Sequence, residues 1–191
     1  MIGKEDYIII EPHPDDAVLS CGELMLIKKP IAIITLFIGK NKDNGTKNLT
    51  KDFNIDYINL GFPDIDLHTK KISFNIAELM SILGKTLEKY GGKLILSPVG
   101  GYHPAHNLAR DSILKLYKDK AVFYADFPHY FKQKNLKTRF KLIKKIDGLF
   151  DEKIALFKKY YKTQRGLLFF NKKYFEMKPA ELYFMASDEW W

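Results

Sequence analysis

Short apolar runs alternate with amphipathic stretches along the first two thirds of the chain. Runs rich in isoleucine, leucine and valine predict five β-strands, at 7–10, 31–37, 56–60, 93–97 and 121–124. Apolar residues at helical spacing predict three helices among them, at 17–28, 72–90 and 106–117. Alternating strands and helices are typical of parallel sheets with helices on both faces. We therefore predict an α/β protein with a Rossmann-like three-layer fold and a mainly parallel sheet.

The pattern becomes less regular towards the C-terminus. The expected elements there are a strand outside the parallel set, a helix and two short strands, at 137–146, 149–163, 167–170 and 181–185. The sequence contains no repeat, linker or low-complexity block that would divide the chain. We therefore expect a single domain over 1–191, with a core at about 1–130 and an irregular C-terminal extension at about 131–191.

The composition is that of a folded protein, and its single cysteine fits a reducing compartment. The chain has 191 residues, of which 46% are hydrophobic, so it can bury a sizeable core. Cys21 is the single cysteine, which excludes an internal disulfide, and we expect it to be a small buried residue. The longest apolar run, Ile31–Ile38, is too short to span a bilayer. We expect a soluble, cytoplasmic protein with no membrane span and no signal segment.

The formal net charge of +8 raises the question of a nucleic-acid partner. Nucleic-acid surfaces favour arginine forks, yet only Arg110, Arg139 and Arg165 among the 31 basic residues are arginines. The lysines are spread along the chain, and their densest run lies at 132–145. We therefore favour a solvated lysine-rich face and predict no nucleic-acid partner. An anion or nucleic-acid patch at 132–145 is the alternative.

Two polar clusters follow the first and fourth predicted strands. The first is PHPDD at 12–16, and the second is GGYHPAH at 100–106. Because active sites of open α/β sheets lie beyond the carboxyl ends of the strands, we expect the two clusters to converge. Adjacent carboxylates such as Asp15 and Asp16 repel each other and resist burial, so a nearby cation would stabilise them.

The spacing of the histidines and aspartates predicts a metal site. His13 and Asp16 are three residues apart, and His103 and His106 repeat that spacing. One carboxylate and two imidazoles match a mononuclear zinc site with a position open for water. Each cluster also has a simpler interpretation, with Asp16 as a helix N-cap and the two histidines of the second cluster as surface residues. The placement of both clusters at strand ends favours the metal site.

Two further histidines lie outside these clusters. His68 belongs to a polar stretch and is expected at the surface. His129 comes at the end of the fifth predicted strand, so it is a candidate for the rim of the same site.

At these residues the sequence resembles the PIG-L/LmbE-like family of zinc-dependent N-acetylglucosaminyl deacetylases. Residues 12–16 match the family motif (A/P)-H-P-D-D, which is the specific part of the resemblance. Residues 103–106 match the second motif, H-x-x-H. The segments LGFPD, FYADFP and KIALFKKYYKTQ extend the resemblance over most of the chain, at 60–64, 123–128 and 153–164.

The resemblance implies roles for five residues of the two motifs. His13, Asp16 and His106 would be the ligands of Zn²⁺ or another divalent metal. Asp15 would be the general base, and His103 would stabilise the oxyanion or protonate the leaving amine. The implied enzyme is a metal-dependent hydrolase that converts an N-acetylamino sugar or its conjugate to acetate and a free amine. Its partner would be a small-molecule N-acetyl sugar or glycoconjugate, and assembly into a homo-oligomer is left open.

Two features depart from the family pattern. Ala105 stands where the family usually has an aspartate, immediately before the last histidine of the motif. The polar segment after the second strand, expected to be a loop at 39–52, is short and lacks the arginine–glutamate pattern that many members use on the substrate. The departures favour an alternative in which the chain is a catalytically degenerate member that acts as a sugar- or anion-binding module.

Overall fold

The computed structural model describes residues 5–38, 44–66, 68–130, 140–164 and 166–186. Within them the strands are β1 Tyr7–Glu11, β2 Ala32–Ile38, β3 Asp56–Pro63, β4 Leu94–Pro98, β5 Ala121–Tyr124, β6 Phe140–Ile146 and β7 Glu181–Ala186. They form one seven-stranded sheet in the order β3-β2-β1-β4-β5-β7-β6. Strands β1 to β5 pair in parallel, whereas β7 pairs antiparallel with β5 and β6. The predicted α/β class with a mainly parallel sheet is confirmed.

Helices cover both faces of this sheet. The longer ones are α1 Asp16–Ile27, α2 Gly45–Phe53, α3 Ile76–Glu88, α4 Pro104–Tyr117 and α5 Phe150–Tyr160, and the short ones are α6 Gly166–Phe170 and α7 Lys172–Glu176. Successive side chains of a strand point to opposite faces. Accordingly, Ile8 and Ile10 of β1 pack with α3 and α4, and Tyr7 and Ile9 pack with α1 and α5. None of the helices in the described residues is long and apolar enough to cross a membrane.

The strand order determines where a site can form. Strands β1 and β4 are neighbours at the centre of the parallel set, with β2 beyond β1 and β5 beyond β4. After β1 the chain therefore continues to β2, towards one edge of the sheet, and after β4 it continues to β5, towards the other edge. At such a switch point the loops after the two strands diverge and leave a crevice between them. The PHPDD and GGYHPAH segments follow these two strands, so they border the same crevice.

Two segments differ from the sequence-based prediction. The predicted loop at 39–52 is wrong in its described part, because α2 begins at Gly45. The face of α2 that packs on the protein includes Leu49 and buried threonines, so it lacks the apolar periodicity that indicates a helix. The predicted strand at 167–170 is also wrong, since these residues lie in α6. A short apolar run does not distinguish a strand from a buried helical turn.

A buried ion pair connects the C-terminal elements to α1. Nζ of Lys153 in α5 lies 3.1 Å from Oε1 of Glu181 in β7 and 3.7 Å from Oε1 of Glu23 in α1. All three residues are buried. Glu181 also accepts hydrogen bonds from the backbone N–H groups of Glu23 and Leu24, at 2.8 and 3.1 Å. Strand β7 and helix α5 are therefore joined to the same core as α1.

Replacing Lys153 by alanine is expected to lower the free energy of unfolding by about 3–5 kcal/mol, because two carboxylates stay buried without their cation. Urea unfolding followed by circular dichroism measures the change. The matched control is Lys145→Ala, which breaks an ion pair with Asp147 whose two side chains are 59% and 64% exposed. This control should leave the urea midpoint unchanged. Equal midpoints for the wild type and the Lys153 variant would contradict the prediction.

Candidate metal centre

Side chains from the segments after β1 and β4 converge at the crevice. Oδ2 of Asp16 lies 3.5 Å from Nδ1 of His13 and 3.3 Å from Nε2 of His106. One potential ligand atom from each of the three residues lies within 4.8 Å of the others, so the group could hold a metal ion. The three residues also line one cavity. The structure thus brings together the three residues that the sequence analysis predicted as metal ligands.

The starts of α1 and α4 hold these side chains in place. Asp16 is the first residue of α1, and its Oδ2 accepts a hydrogen bond from the backbone N–H of His13 at 2.9 Å. His103 is the N-cap of α4, where its Nδ1 accepts a hydrogen bond from the backbone N–H of Ala105 at 3.2 Å. His106 follows in the first turn of α4 and is buried. Each three-residue spacing therefore corresponds to a turn that enters a helix.

Each of the two imidazoles also has a second carboxylate on its other nitrogen. Nε2 of His13 lies 2.7 Å from Oδ1 of Asp64, which follows β3. Nδ1 of His106 lies 3.0 Å from Oδ1 of Asp126, which follows β5. Oδ2 of Asp126 accepts a hydrogen bond from the backbone N–H of Gly100 at 2.8 Å. Carboxylates in such positions orient metal-binding imidazoles and determine which ring nitrogen carries the proton.

The charges of this cluster suit a cation. Burial disfavours the charged form of His13, but hydrogen bonds with Asp16 and Asp64 outweigh it and raise its pKa to about 10. Burial also opposes protonation of His106, and the charges of Asp16 and Asp126 nevertheless raise its pKa. Burial would raise the pKa of Asp16, but the two imidazoles hold it below its usual value. The neighbouring carboxylates that favour protons on the two imidazoles would also favour a divalent ion, which would displace those protons on binding.

His13 belongs to a second group that could hold a metal ion, together with Asp64 and His103. The two groups use different nitrogens of His13, since Nδ1 is the atom near Asp16 and Nε2 the atom near Asp64. The side chain of Asp64 is 34% exposed, against 7% for Asp16 and 2% for His106. The group with Asp16 and His106 is therefore the more enclosed of the two.

Asp15 and His103 line the same cavity. Asp15 is the N-cap of α1, but its side chain makes no capping hydrogen bond, so the aspartate pair is not a simple helix cap. Burial, followed by the charges of His13 and His106, lowers the pKa of His103 to about 4. Because Nδ1 of His103 accepts a hydrogen bond, the proton of the neutral ring lies on Nε2.

The cavity has a volume of about 330 Å³. Besides the acidic residues and histidines already described, its wall comes from α1, the segment after β5 and the C-terminal helical region, and it includes Leu19, Phe127, Pro128, His129, Gln164 and Leu167. His129 is therefore at the site, as its position after β5 suggested. His68 is exposed and is not part of this lining, and Cys21 is buried, as expected.

Sequence reasoning assigns no role to Asp64 or Asp126. The structure places Asp64 on His13 and Asp126 on His106. Both acids come within two residues of the carboxyl end of a parallel strand, which is the signal that could have assigned them to the site.

Comparison of the chain with models of known protein families and with curated protein sequences found no match. The roles of these residues therefore depend on the geometry of the site and on the motifs themselves.

Replacing Asp126 by asparagine is expected to weaken zinc binding by about 10- to 100-fold, the usual loss when the outer partner of a ligand imidazole changes. One carboxamide cannot accept from both the His106 ring and the Gly100 N–H, as the carboxylate does. Competition titration against a chromophoric chelator measures the affinity. Asp111→Asn, at an exposed position of α4, is the control. Equal zinc affinities for the two variants would show that Asp126 does not support zinc binding through His106.

Proposed function

We propose that the chain is a metal-dependent hydrolase that removes the acetyl group from an N-acetylamino sugar or its conjugate, releasing acetate and a free amine. The observation that carries the proposal is the convergence of His13, Asp16 and His106, which could hold a metal ion, with Asp15 and His103 at one cavity. The resemblance of the same residues to the PIG-L/LmbE-like motifs supports this reaction.

Zinc suits the proposed ligand set. Two imidazoles and one carboxylate leave a position open, as in catalytic zinc sites. We assign the ion to the more enclosed group, His13, Asp16 and His106, which keeps Asp64 and Asp126 as hydrogen-bond partners of the two imidazoles. When bound there, zinc would polarise the acyl oxygen and lower the pKa of water.

Asp15 is the proposed general base. Its carboxylate would take a proton from the water molecule that attacks the acyl carbon. The bond between the acyl carbon and nitrogen then breaks, and the leaving nitrogen takes up the proton that Asp15 received from water. Water thus supplies the second oxygen of acetate and the new proton of the amine.

His103 is the proposed hydrogen-bond donor to the developing oxyanion. The lowered pKa makes the neutral ring the form present at neutral pH, and that ring carries its proton on Nε2. A positioned donor in a partly buried cavity stabilises the charge that develops on the acyl oxygen. A neutral donor replaces the imidazolium that an aspartate at position 105 would favour.

Acetate release from a panel of N-acetyl sugars and their nucleotide and glycoside conjugates tests the proposal. We expect release from at least one member, loss of release after chelation, and recovery on adding zinc. The panel also identifies the substrate. Zinc-loaded protein that binds one of these compounds and releases no acetate would contradict the hydrolase.

A sugar- or anion-binding module is the second candidate. It is favoured by Ala105, whose methyl side chain provides no carboxylate beside His103. Such a module would bind the N-acetyl sugar with similar affinity in the wild type and in Asp15→Asn, and neither protein would release acetate. Isothermal titration calorimetry with the same panel distinguishes the two candidates.

A further inference from the structure

We propose that Glu11 is a positioning residue that caps helix α1 in place of Asp15 and thereby keeps the Asp15 carboxylate at the cavity. The inference depends on the proposed function only where it concerns the role of Asp15 as a base. The capping itself is a property of the fold and is tested without activity.

Glu11 is fully buried and immediately precedes the PHPDD segment in the chain. It is the last residue of β1 and lies in register with Thr35 of β2, whose Oγ1 donates a hydrogen bond to Oε1 at 2.6 Å. Oε2 accepts hydrogen bonds from the backbone N–H groups of Ala17 at 3.1 Å and Asp15 at 3.4 Å. The side chain therefore joins the end of the sheet to the first turn of α1.

The hydrogen bond to Ala17 is the one that an N-cap side chain normally makes. The first N–H groups of a helix have no partner within it, and the side chain of the N-cap accepts from the second or third helical residue. Asp15 is the N-cap of α1, so Ala17 is the second helical residue. Aspartate is among the best capping residues, yet the Asp15 side chain makes no capping bond. Glu11 occupies that role from the preceding strand.

The backbone of Asp15 shows why an external partner is needed. Its φ of 157° and ψ of −24° form a combination that residues other than glycine rarely adopt. Such a strained conformation persists only where the surroundings enforce it. Oε2 of Glu11 accepts from the N–H of Asp15 as well as from that of Ala17, so one atom fixes both the strained residue and the helix start.

The environment of Glu11 is consistent with a positioning role and not with a place in the chemistry. Burial raises the pKa of its carboxyl to about 7, and the charge of Asp16 adds to the rise, whereas hydrogen bonds from Thr35 and Ala17 oppose it. Glu11 is absent from the residues that line the cavity. A carboxyl group that is expensive to bury and does not reach the cavity is explained by the backbone groups that it holds.

Removing the Glu11 side chain should redirect Asp15. In Glu11→Ala the N–H of Ala17 loses its acceptor, and the N-cap carboxylate of Asp15 is the nearest replacement in sequence. By turning to the helix, Asp15 would leave the attacking water. We expect kcat to fall by about 100-fold, the lower end for loss of a general base, while zinc stays bound. Glu11→Gln should stay within about threefold of the wild type, since its carboxamide oxygen can accept from both N–H groups and its amide can donate to Thr35.

Hydrogen exchange at the Ala17 amide tests the cap directly. In the wild-type background, Asp15→Ala should leave this exchange unchanged because Glu11 supplies the cap. In the Glu11→Ala background, the same Asp15→Ala change should accelerate it by about fivefold, the value of one N-cap. If Glu11→Ala does not fold, Asp15→Ala alone decides: unchanged exchange supports the proposal, and faster exchange overturns it.

Glu23→Ala is the matched control. Glu23 is a second fully buried glutamate, it accepts a hydrogen bond from the backbone N–H of Leu149 at 2.8 Å, and it is not among the residues that line the cavity. Its loss should reduce stability without changing kcat or the exchange at Ala17. The proposal is overturned if Glu11→Ala keeps kcat within about threefold, if Glu11→Gln loses as much as Glu11→Ala, or if Asp15→Ala has the same effect in both backgrounds. If none of the proteins releases acetate, the proposed function fails, and the exchange data still decide on the cap.

Discussion

Replacing Asp15 by asparagine is expected to lower kcat for acetate release by about 10²- to 10⁴-fold while zinc remains bound. Asparagine has nearly the shape of aspartate but cannot accept the proton of the attacking water. Because the Asp15 side chain does not cap α1, the substitution should also leave the fold intact. Steady-state kinetics with the substrate identified by the panel gives kcat, and elemental analysis gives the metal content.

The control for Asp15→Asn is the same change at Asp119, an exposed position after α4. It removes one carboxylate from the protein without touching the cavity, so its kcat should equal that of the wild type. An Asp15→Asn enzyme with kcat within a few fold of the wild type would exclude Asp15 as the base. In that case the base would be another titratable residue of the cavity lining, such as Asp64 or His129.

Replacing His106 by alanine is expected to reduce the affinity for zinc by more than about 100-fold, since changes in the outer partners of ligands already cost 10- to 100-fold. Nε2 of His106 lies 3.3 Å from Oδ2 of Asp16, and its ring is fixed from behind by Asp126. Alanine removes one of three proposed ligands. It also leaves the buried carboxylates of Asp16 and Asp126 without the imidazole that lies between them. The competition titration used for Asp126→Asn measures the loss.

His68→Ala is the control for the loss of a histidine, because His68 is exposed and lies outside the cavity. Its zinc affinity should equal that of the wild type. Full occupancy and affinity in His106→Ala would instead assign the ion to the second group, with Asp64 and His103. Asp64→Ala would then be the variant that loses the metal.

Local sequence patterns were sufficient for the elements that form the parallel sheet. Strands β1 to β5 lie where apolar runs predicted them. In β1, β2, β4 and β5 nearly every residue is buried, and residues covered on both faces of a sheet must be apolar at nearly every position. The pattern failed at α2 and α6 for opposite reasons. Helix α2 buries small polar residues with a single leucine, and α6 lies within an apolar run too short to show a period.

The site was predictable only as far as its motifs extend. His13, Asp15 and Asp16, like His103 and His106, are close in sequence and follow a strand, so their convergence could be expected. The residues that hold them in place have no such signal. Asp64 resembles an ordinary turn residue, and Glu11 resembles the polar end of an apolar strand.

The sequence by itself determined most of the secondary structure of the parallel sheet and which side chains the two polar clusters contain, because both depend on residues that are near one another along the chain. The tertiary structure decided which groups those clusters meet. The order β3-β2-β1-β4-β5 places the ends of four strands around one crevice, so that Asp64 meets His13 and Asp126 meets His106. It also places the carboxylate of Glu11 under the start of α1, where it takes the capping role that the local sequence assigns to an aspartate. The physical reason is that a hydrogen bond depends on distances of about 3 Å in space, and the strand order, not the spacing along the chain, sets those distances.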